Sequence, residues 1–223
     1  MAGGRLIPVL LTVATLATML AGDPARAQAG AQGVAGNPWA VCAEQVALAE
    51  TLRPELPPQL LHAIAKIESG RWNAEHRENF SWPWTVMAEG EGRYLPSKAA
   101  AKAEVEALQA RGVRNIDVGC MQVNLHYHGH AFDSLDEALD PTMNVAYAAE
   151  FLLHLRRQAG SWTRAVGDYH SRSPQHSGPY RARVFKVWRE EKRAAFTAEA
   201  EARRAWADFE RQLAGYLRDE EAL

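Results

Sequence analysis

The chain has 223 residues, with 25 Lys/Arg against 27 Asp/Glu and a formal net charge of −2. That balance excludes nucleic acid as the main partner, because phosphate binding requires a basic surface. The length suffices for one sizeable core.

The first elements are those of an exported chain. Arg5 and the free amine form a short positive region, an apolar stretch runs from Leu6 to Ala21, and Ala25-Arg26-Ala27 offers small residues for cleavage. This layout predicts a signal peptide over residues 1–27 and a periplasmic mature protein. The stretch is short for a membrane span and ends in Gly22 and Pro24, so no stable span is expected after processing. Asp23 stands where a lipid-bearing Cys would be, which argues against lipidation. Both cysteines, Cys42 and Cys120, survive cleavage. In an oxidising compartment an even pair suggests a disulfide, and two separately buried thiols are the alternative. A bond between them would close a long loop and contribute about 4 kcal/mol on the chain-entropy model.

Residues 28–37 are mostly Ala, Gly and Gln without apolar periodicity and read as a flexible leader. From Trp39 to Leu52, Val41, Val46, Ala49 and Leu52 fit a helix that Arg53-Pro54 ends. Pro57-Pro58 suits a first helical turn. Leu60, Leu61, Ile64 and Ile67 then give a buried stripe, with Gly70 as the expected stop. The stretch from Trp82 to Tyr94 is rich in aromatics and glycine, and Trp84-Thr85-Val86-Met87 predicts a short strand in a small hairpin lobe. Ser97 caps a polar helix to about Ala110, closed by Gly112. Asp140-Pro141 opens the clearest helix, with Val145, Ala148, Leu152 and Leu155 facing inward and Gly160 just past its end. Ser161 caps a short helix through Trp162 and Val166. From about Arg181 onward the chain is helix-forming, with interleaved charges and few large apolar residues after Trp188. The expectation is a mainly α (α+β) protein: one domain over 38–188 with a small β lobe, then a charged C-terminal helix over 189–223. That helix reads as a solvated face or, alternatively, as a docking helix for an envelope partner.

Glu68 lies four residues after Ile64 and seven after Leu61, beside the buried stripe. A carboxyl partly removed from water has a raised pKa, which a general acid for glycoside cleavage needs. The plainer reading is a helix-terminal Glu with its carboxylate in water.

Ordered blocks follow: Ile67-Glu68-Ser69-Gly70, then Gly119-Cys120-Met121-Gln122-Val123-Asn124, then Asn144-Val145-Ala146-Tyr147-Ala148-Ala149, then Tyr169-His170-Ser171. In this order and at these separations, over roughly Leu60 to Tyr180, the chain resembles the soluble lytic transglycosylases, goose-lysozyme-like muramidases acting on peptidoglycan glycan strands. The resemblance implies a lysozyme-like helical fold and Glu68 as the single catalytic acid/base. It implies Ser69 as a residue holding substrate near Glu68, and Gly119, Met121 and Gln122, with Asn124, in the loop lining the sugar cleft. Asn144 falls on a helix supporting the site, and Tyr169 on the tyrosine whose hydroxyl reaches toward Glu68. Departures are Cys120 for a usual Leu, His170-Ser171 for the commoner Asn, and an insertion carrying Trp82, Trp84 and Tyr94.

The implied route is cleavage of the MurNAc-β-1,4-GlcNAc bond with closure of a 1,6-anhydro ring, needing neither metal nor cofactor. Asp117 is the nearest acidic residue before the cleft loop, at no position the family uses. Trp82, Trp84 and Tyr94 are candidate sugar-stacking residues, and they could equally form the insertion's own core. His126, His128 and His130 alternate as metal ligands on a strand would, but no Glu or Cys completes a set, so surface or structural roles are expected. Other readings are a hydrolytic lysozyme, a glycan-binding module without catalysis, and a component of an envelope-spanning secretion or flagellar machine.

Overall fold

The computed structural model describes residues 37–221, so the expected signal peptide and most of the leader lie outside the described residues. Helix α1 (Val41–Leu52) buries Cys42, Val46 and Ala49. Helix α2 (Leu60–Ser69) buries Leu60, Leu61, Ala63, Ile64, Ala65 and Ser69. Pro57-Pro58 precedes α2 instead of forming its first turn. Gln59 adopts a left-handed conformation at the N-cap position, without capping through its own side chain. The Glu50 carboxylate of α1 performs that task, accepting from the backbone N–H of Gln59 at 2.8 Å and of Leu61 at 2.8 Å. Those donors are the orphans every helix start exposes. Burial pushes the Glu50 carboxyl up, and the backbone N–H groups oppose that rise.

Gly70 ends α2 by turning straight into a strand, at φ −59° and ψ 118°. A Cβ at Gly70 would lie 2.3 Å from the Lys66 carbonyl oxygen, so the close approach of chain to helix requires glycine. Strands β1 (Gly70–Asn73) and β2 (Glu78–Ser81) form one antiparallel hairpin, with Gly70 opposite Ser81. A second antiparallel sheet holds β3 (Thr85–Ala88), β4 (Glu91–Tyr94), β5 (Ile116–Val118) and β6 (Val123–Asn124) in the order β4-β3-β5-β6. The expected strand at Trp84–Met87 is thus β3, displaced by one residue. Helix α3 (Lys98–Ala110) starts where Ser97 Oγ accepts from the Ala100 N–H, as its sequence signal predicts.

Two short helices, α4 (Leu125–His128) and α5 (Leu135–Ala138), lead into α6 (Pro141–Ala159). Asp140 caps α6 through the N–H groups of Thr142 and Met143, and Gly160 closes it at φ 69°. Ser161 caps α7 (Trp162–His170). The last helix, α8 (Pro174–Glu221), begins seven residues before the expected Arg181 and carries Pro179 within it. Pro179 is the sixth residue of this helix and has no N–H to give the Gln175 carbonyl, which is why the proline rule places the start after it. Among the described residues no helix is long and apolar enough to cross a membrane.

Among the described residues there are two cores. The larger joins α1, α2, α6, α7 and the root of α8, through Leu60, Ile64, Leu152, Val166, Tyr180 and Val184. The smaller joins the four-stranded sheet to α3 and α5, through Val86, Val105, Leu108, Ile116 and Leu139. A disulfide between Cys42 and Cys120 ties α1 to the loop after β5, with the two Cα atoms 5.6 Å apart.

Candidate active site

Glu68 sits in the last turn of α2, where the buried stripe of that helix draws its carboxyl partly out of water. Burial is the main cause that lifts its pKa to about 7. The Tyr180 hydroxyl donates to Glu68 Oε1 at 2.5 Å and acts in the opposite direction. Asp117 adds a smaller upward push and Arg183 a smaller downward one. Tyr180 is itself buried near the root of α8 and lies face to face with the His170 ring at 4.6 Å. Glu68 opens on a cleft of about 500 Å³. The helical side of that cleft presents Tyr147, Phe151, Tyr169, His170, Tyr180 and Arg183, and the sheet side Met87, Asp117, Gln122 and Asn124.

The floor on the sheet side is the loop from Gly119 to Gln122, whose conformation is costly. Gly119 has φ 83° and Gln122 φ 47°. A Cβ at Gly119 would lie 2.5 Å from Asn144 Nδ2, so the glycine makes room for Asn144 behind the loop, not for a sugar ring in front of it. Asn144, fully buried, donates to the carbonyls of Val118 and Ala138 at 3.0 Å each and accepts from the Met121 N–H at 2.9 Å. Ser69 Oγ donates to the Cys120 carbonyl at 2.7 Å, and Tyr169 Oη to the Met121 carbonyl at 2.9 Å. Gln122 Nε2 donates to the carbonyls of Gly119 and Thr85 at 3.0 and 3.1 Å. With the carbonyls of Gly119, Cys120 and Met121 and the Met121 N–H held this way, the strained turn has few alternatives.

Several residues expected at the substrate therefore stand behind it. Ser69 and Met121 are fully buried, and with Gly119 they hold the loop without lining the cleft. Tyr169 lines the cleft, but its hydroxyl is committed to Met121, and Tyr180 makes the bond to Glu68 that the resemblance assigns to Tyr169. Gln122 and Asn124 line the cleft, and Asn144 accepts from the Met121 N–H behind it.

In the aromatic insertion Trp82 and Trp84 pack together, while Tyr94 is 44% exposed. Trp82 is buried and donates to the Leu95 carbonyl at 2.7 Å. Trp84 meets it edge-on at 5.6 Å and packs toward the sheet core, while Tyr94 donates to the Gly70 carbonyl at 2.5 Å. Neither Trp84 nor Tyr94 lines the cleft. The Arg71 guanidinium lies 4.3 Å above the Trp82 ring and holds the cluster together.

The histidine run is helical, not a strand. Asn124 Oδ1 accepts from the N–H groups of His126 and Tyr127 and starts α4, so the three rings do not share a strand face. His128 Nδ1 bonds the Tyr147 hydroxyl at 2.8 Å in the cleft wall. Among the described residues no group of three or more His, Cys, Asp or Glu side chains is arranged to hold a metal ion.

A family model described as the transglycosylase SLT domain matches residues 45–176. The chain belongs to that family. It supplies lytic transglycosylase activity on peptidoglycan as the general activity, which lies outside the cytoplasm. No curated protein and no solved structure matches the chain.

In this SLT domain the matched segment contains Glu68, the cleft loop, Asn144 and Tyr169, but ends before Tyr180 and Arg183. The two cleft residues of α8 thus lie beyond the matched blocks. A local signal for Tyr180 does exist: Tyr180, Val184 and Trp188 recur at helical spacing and mark the inward face of α8. Asp117 had a weaker one. Only the fold shows it in the same cleft as Glu68, with its carboxyl pushed up by burial and held by Asn124 Nδ2 at 2.7 Å.

Proposed function

We propose that the protein cleaves the MurNAc-β-1,4-GlcNAc bond of peptidoglycan with Glu68 as its acid/base, releasing a 1,6-anhydroMurNAc end. The observation that carries this reading is one carboxyl, poised near pKa 7, with one oxygen held by Tyr180 and its side chain opening on the cleft. Protonated Glu68 gives its proton to the glycosidic oxygen as the C1–O bond breaks. Positive charge builds on C1 and the ring oxygen of the MurNAc unit. Its own O6 then bonds to C1, and the O6 proton passes to the Glu68 carboxylate, which restores the acid. No water is consumed.

Asp117 favours a second reading, a hydrolytic lysozyme. A second carboxylate in the cleft can stabilise the cationic sugar or orient a water, as paired carboxylates do in glycosidases. Mass analysis of products from purified sacculi separates the two, since anhydro ends are one water lighter than reducing ends. Reducing ends would overturn the anhydro route. Glu68→Gln is expected to abolish wall clearing while leaving wall pelleting intact, and clearing by that variant would overturn the assignment of Glu68.

The same reading places the protein in the periplasm, exported by the signal peptide over residues 1–27. Residues 38–188 form the catalytic unit, and the charged helix over 189–223 extends from it.

A further inference from the structure

Beyond Trp188, α8 gives no residue to either core. At 1.5 Å per residue its outer part, 189–221, is roughly 50 Å long. It nevertheless carries large apolar side chains: Phe196, Trp206, Phe209, Leu213 and Leu217 are each between 44% and 68% exposed. Their placement is ordered. Positions 195, 202, 206, 209, 213 and 216 (Ala, Ala, Trp, Phe, Leu, Tyr) follow the alternating 3-4 spacing of a coiled-coil seam, interrupted once by Glu199, with Phe196 and Leu217 beside it. A seam of this kind on a helix with both charge signs calls for cover by another helix. A lipid surface fits poorly, because 189–221 holds seven Lys/Arg against nine Asp/Glu, without the basic polar face that interfacial helices use.

The flanks of the seam indicate which helix. One flank carries Phe196, Arg203, Glu210 and Leu217, and the other Ala198, Ala205 and Gln212. In a parallel pair the first flank of one helix meets the second flank of its partner. In an antiparallel pair like flanks meet, so Phe196 of each copy faces Leu217 of the other, and Arg203, which pairs with Glu199 of its own helix, faces Glu210, which accepts from Trp206; the alanine flanks allow close approach. The five apolar side chains of each copy would together bury on the order of 1,000 Å² across the pair, the lower end of a specific interface.

We propose that the outer half of α8 is a self-association surface, joining two copies of this chain through an antiparallel helix pair with a two-fold axis between Trp206 and Phe209. The contact is isologous and closed, so it makes a dimer and does not propagate. It leaves the Glu68 cleft at the root of α8 free in both copies.

Sedimentation equilibrium of the purified protein at tens of micromolar is expected to give the dimer mass with a concentration-dependent monomer fraction. Leu213→Glu, at an exposed position, is expected to give a monomer that melts and clears walls as the parent does. Arg203→Glu should weaken the dimer about three- to tenfold through two lost charge pairs. Adding Glu210→Arg to it should restore the association. A monomer at every concentration would overturn the proposal, including the case in which the seam serves another protein's helix. A charge swap that fails to restore would overturn the antiparallel arrangement. So would efficient self-crosslinking of Ala202→Cys, whose two copies lie roughly 16 Å apart in that arrangement.

Discussion

On the helical side of the cleft, the site consists of a group placed where water is scarce: Glu68 rises to about pKa 7 because α2 buries its stripe there, and one tyrosine hydroxyl holds one oxygen. On the sheet side, the floor consists of backbone held in place by side chains from behind. Asn144, Ser69 and Tyr169 bond the carbonyls and N–H groups of residues 118–121, and two residues of the loop take positive φ. The first side stores functional cost as a desolvated charge, the second as backbone conformation. Removing the Glu68 charge and removing a bond that holds the loop should therefore change stability in opposite directions.

The largest expected effect is on the sheet side. Asn144→Ala would remove the buried side chain that bonds the Val118 and Ala138 carbonyls and the Met121 N–H. Unmade buried hydrogen bonds cost about 1–3 kcal/mol each, so a loss of at least about 3 kcal/mol is expected by urea denaturation. Wall clearing should fall by more than about 100-fold even under conditions where the variant is folded, since a misplaced cleft loop misaligns the substrate. A variant that keeps full activity would show that the loop holds its shape without Asn144.

Removing the Glu68 charge should act with the opposite sign. Glu68 is raised from 4.5 to about 7, so between those values the folded protein binds more protons than the unfolded chain. Stability contributed at this position therefore falls as pH rises from about 4.5 to 7 and stays low above it. Glu68→Gln removes the buried charge. It should be neutral near pH 4 and stabilising near pH 8, by up to about 3 kcal/mol at the conversion of 1.36 kcal/mol per unit. Thermal melts of the two proteins across that range test this directly, and parallel melting curves at both ends would mean that Glu68 is solvated in the folded state.

This difference also explains which parts were legible in the sequence. Helix signals that depend on local chemistry appear where expected, as with Ser97, the Asp140-Pro141 start and Gly160. Glu68 was legible because an amphipathic stripe reports burial of its neighbours, and because ordered blocks follow it. The pairing of Cys42 with Cys120 was legible too, since two cysteines in an oxidising compartment allow one disulfide, and the fold brings their Cα atoms within 5.6 Å. What stayed hidden was direction. Motif residues Ser69, Gly119 and Met121 mark the loop, yet nothing in a one-dimensional pattern says whether a side chain faces the sugar or props the backbone from behind. Trp84 and Tyr94 were ambiguous for the same reason, since an aromatic suits a sugar face and a small core equally well. Tyr180 was obscured by Pro179, which makes the start of α8 look like a break.

The smallest and most discriminating effect separates the two tyrosines. Both hydroxyls are buried, and burial pushes both pKa values well up, so each acts as a neutral donor. Tyr180 donates to the Glu68 carboxylate and stabilises its charged form; Tyr169 donates to the Met121 carbonyl and stabilises the loop. Removing either hydroxyl should cost about 1 kcal/mol of stability. Only Tyr180→Phe, however, removes the contact that lowers the Glu68 pKa, so that pKa should rise further. Because Glu68 must be protonated to act as the acid, the fall of kcat/KM on the alkaline side should move to higher pH in Tyr180→Phe. In Tyr169→Phe that limb should stay in place while the rate drops at every pH. An alkaline limb that shifts in Tyr169→Phe and not in Tyr180→Phe would return the acid-tuning role to the cleft tyrosine of α7, and with it the assignment that the resemblance alone implies.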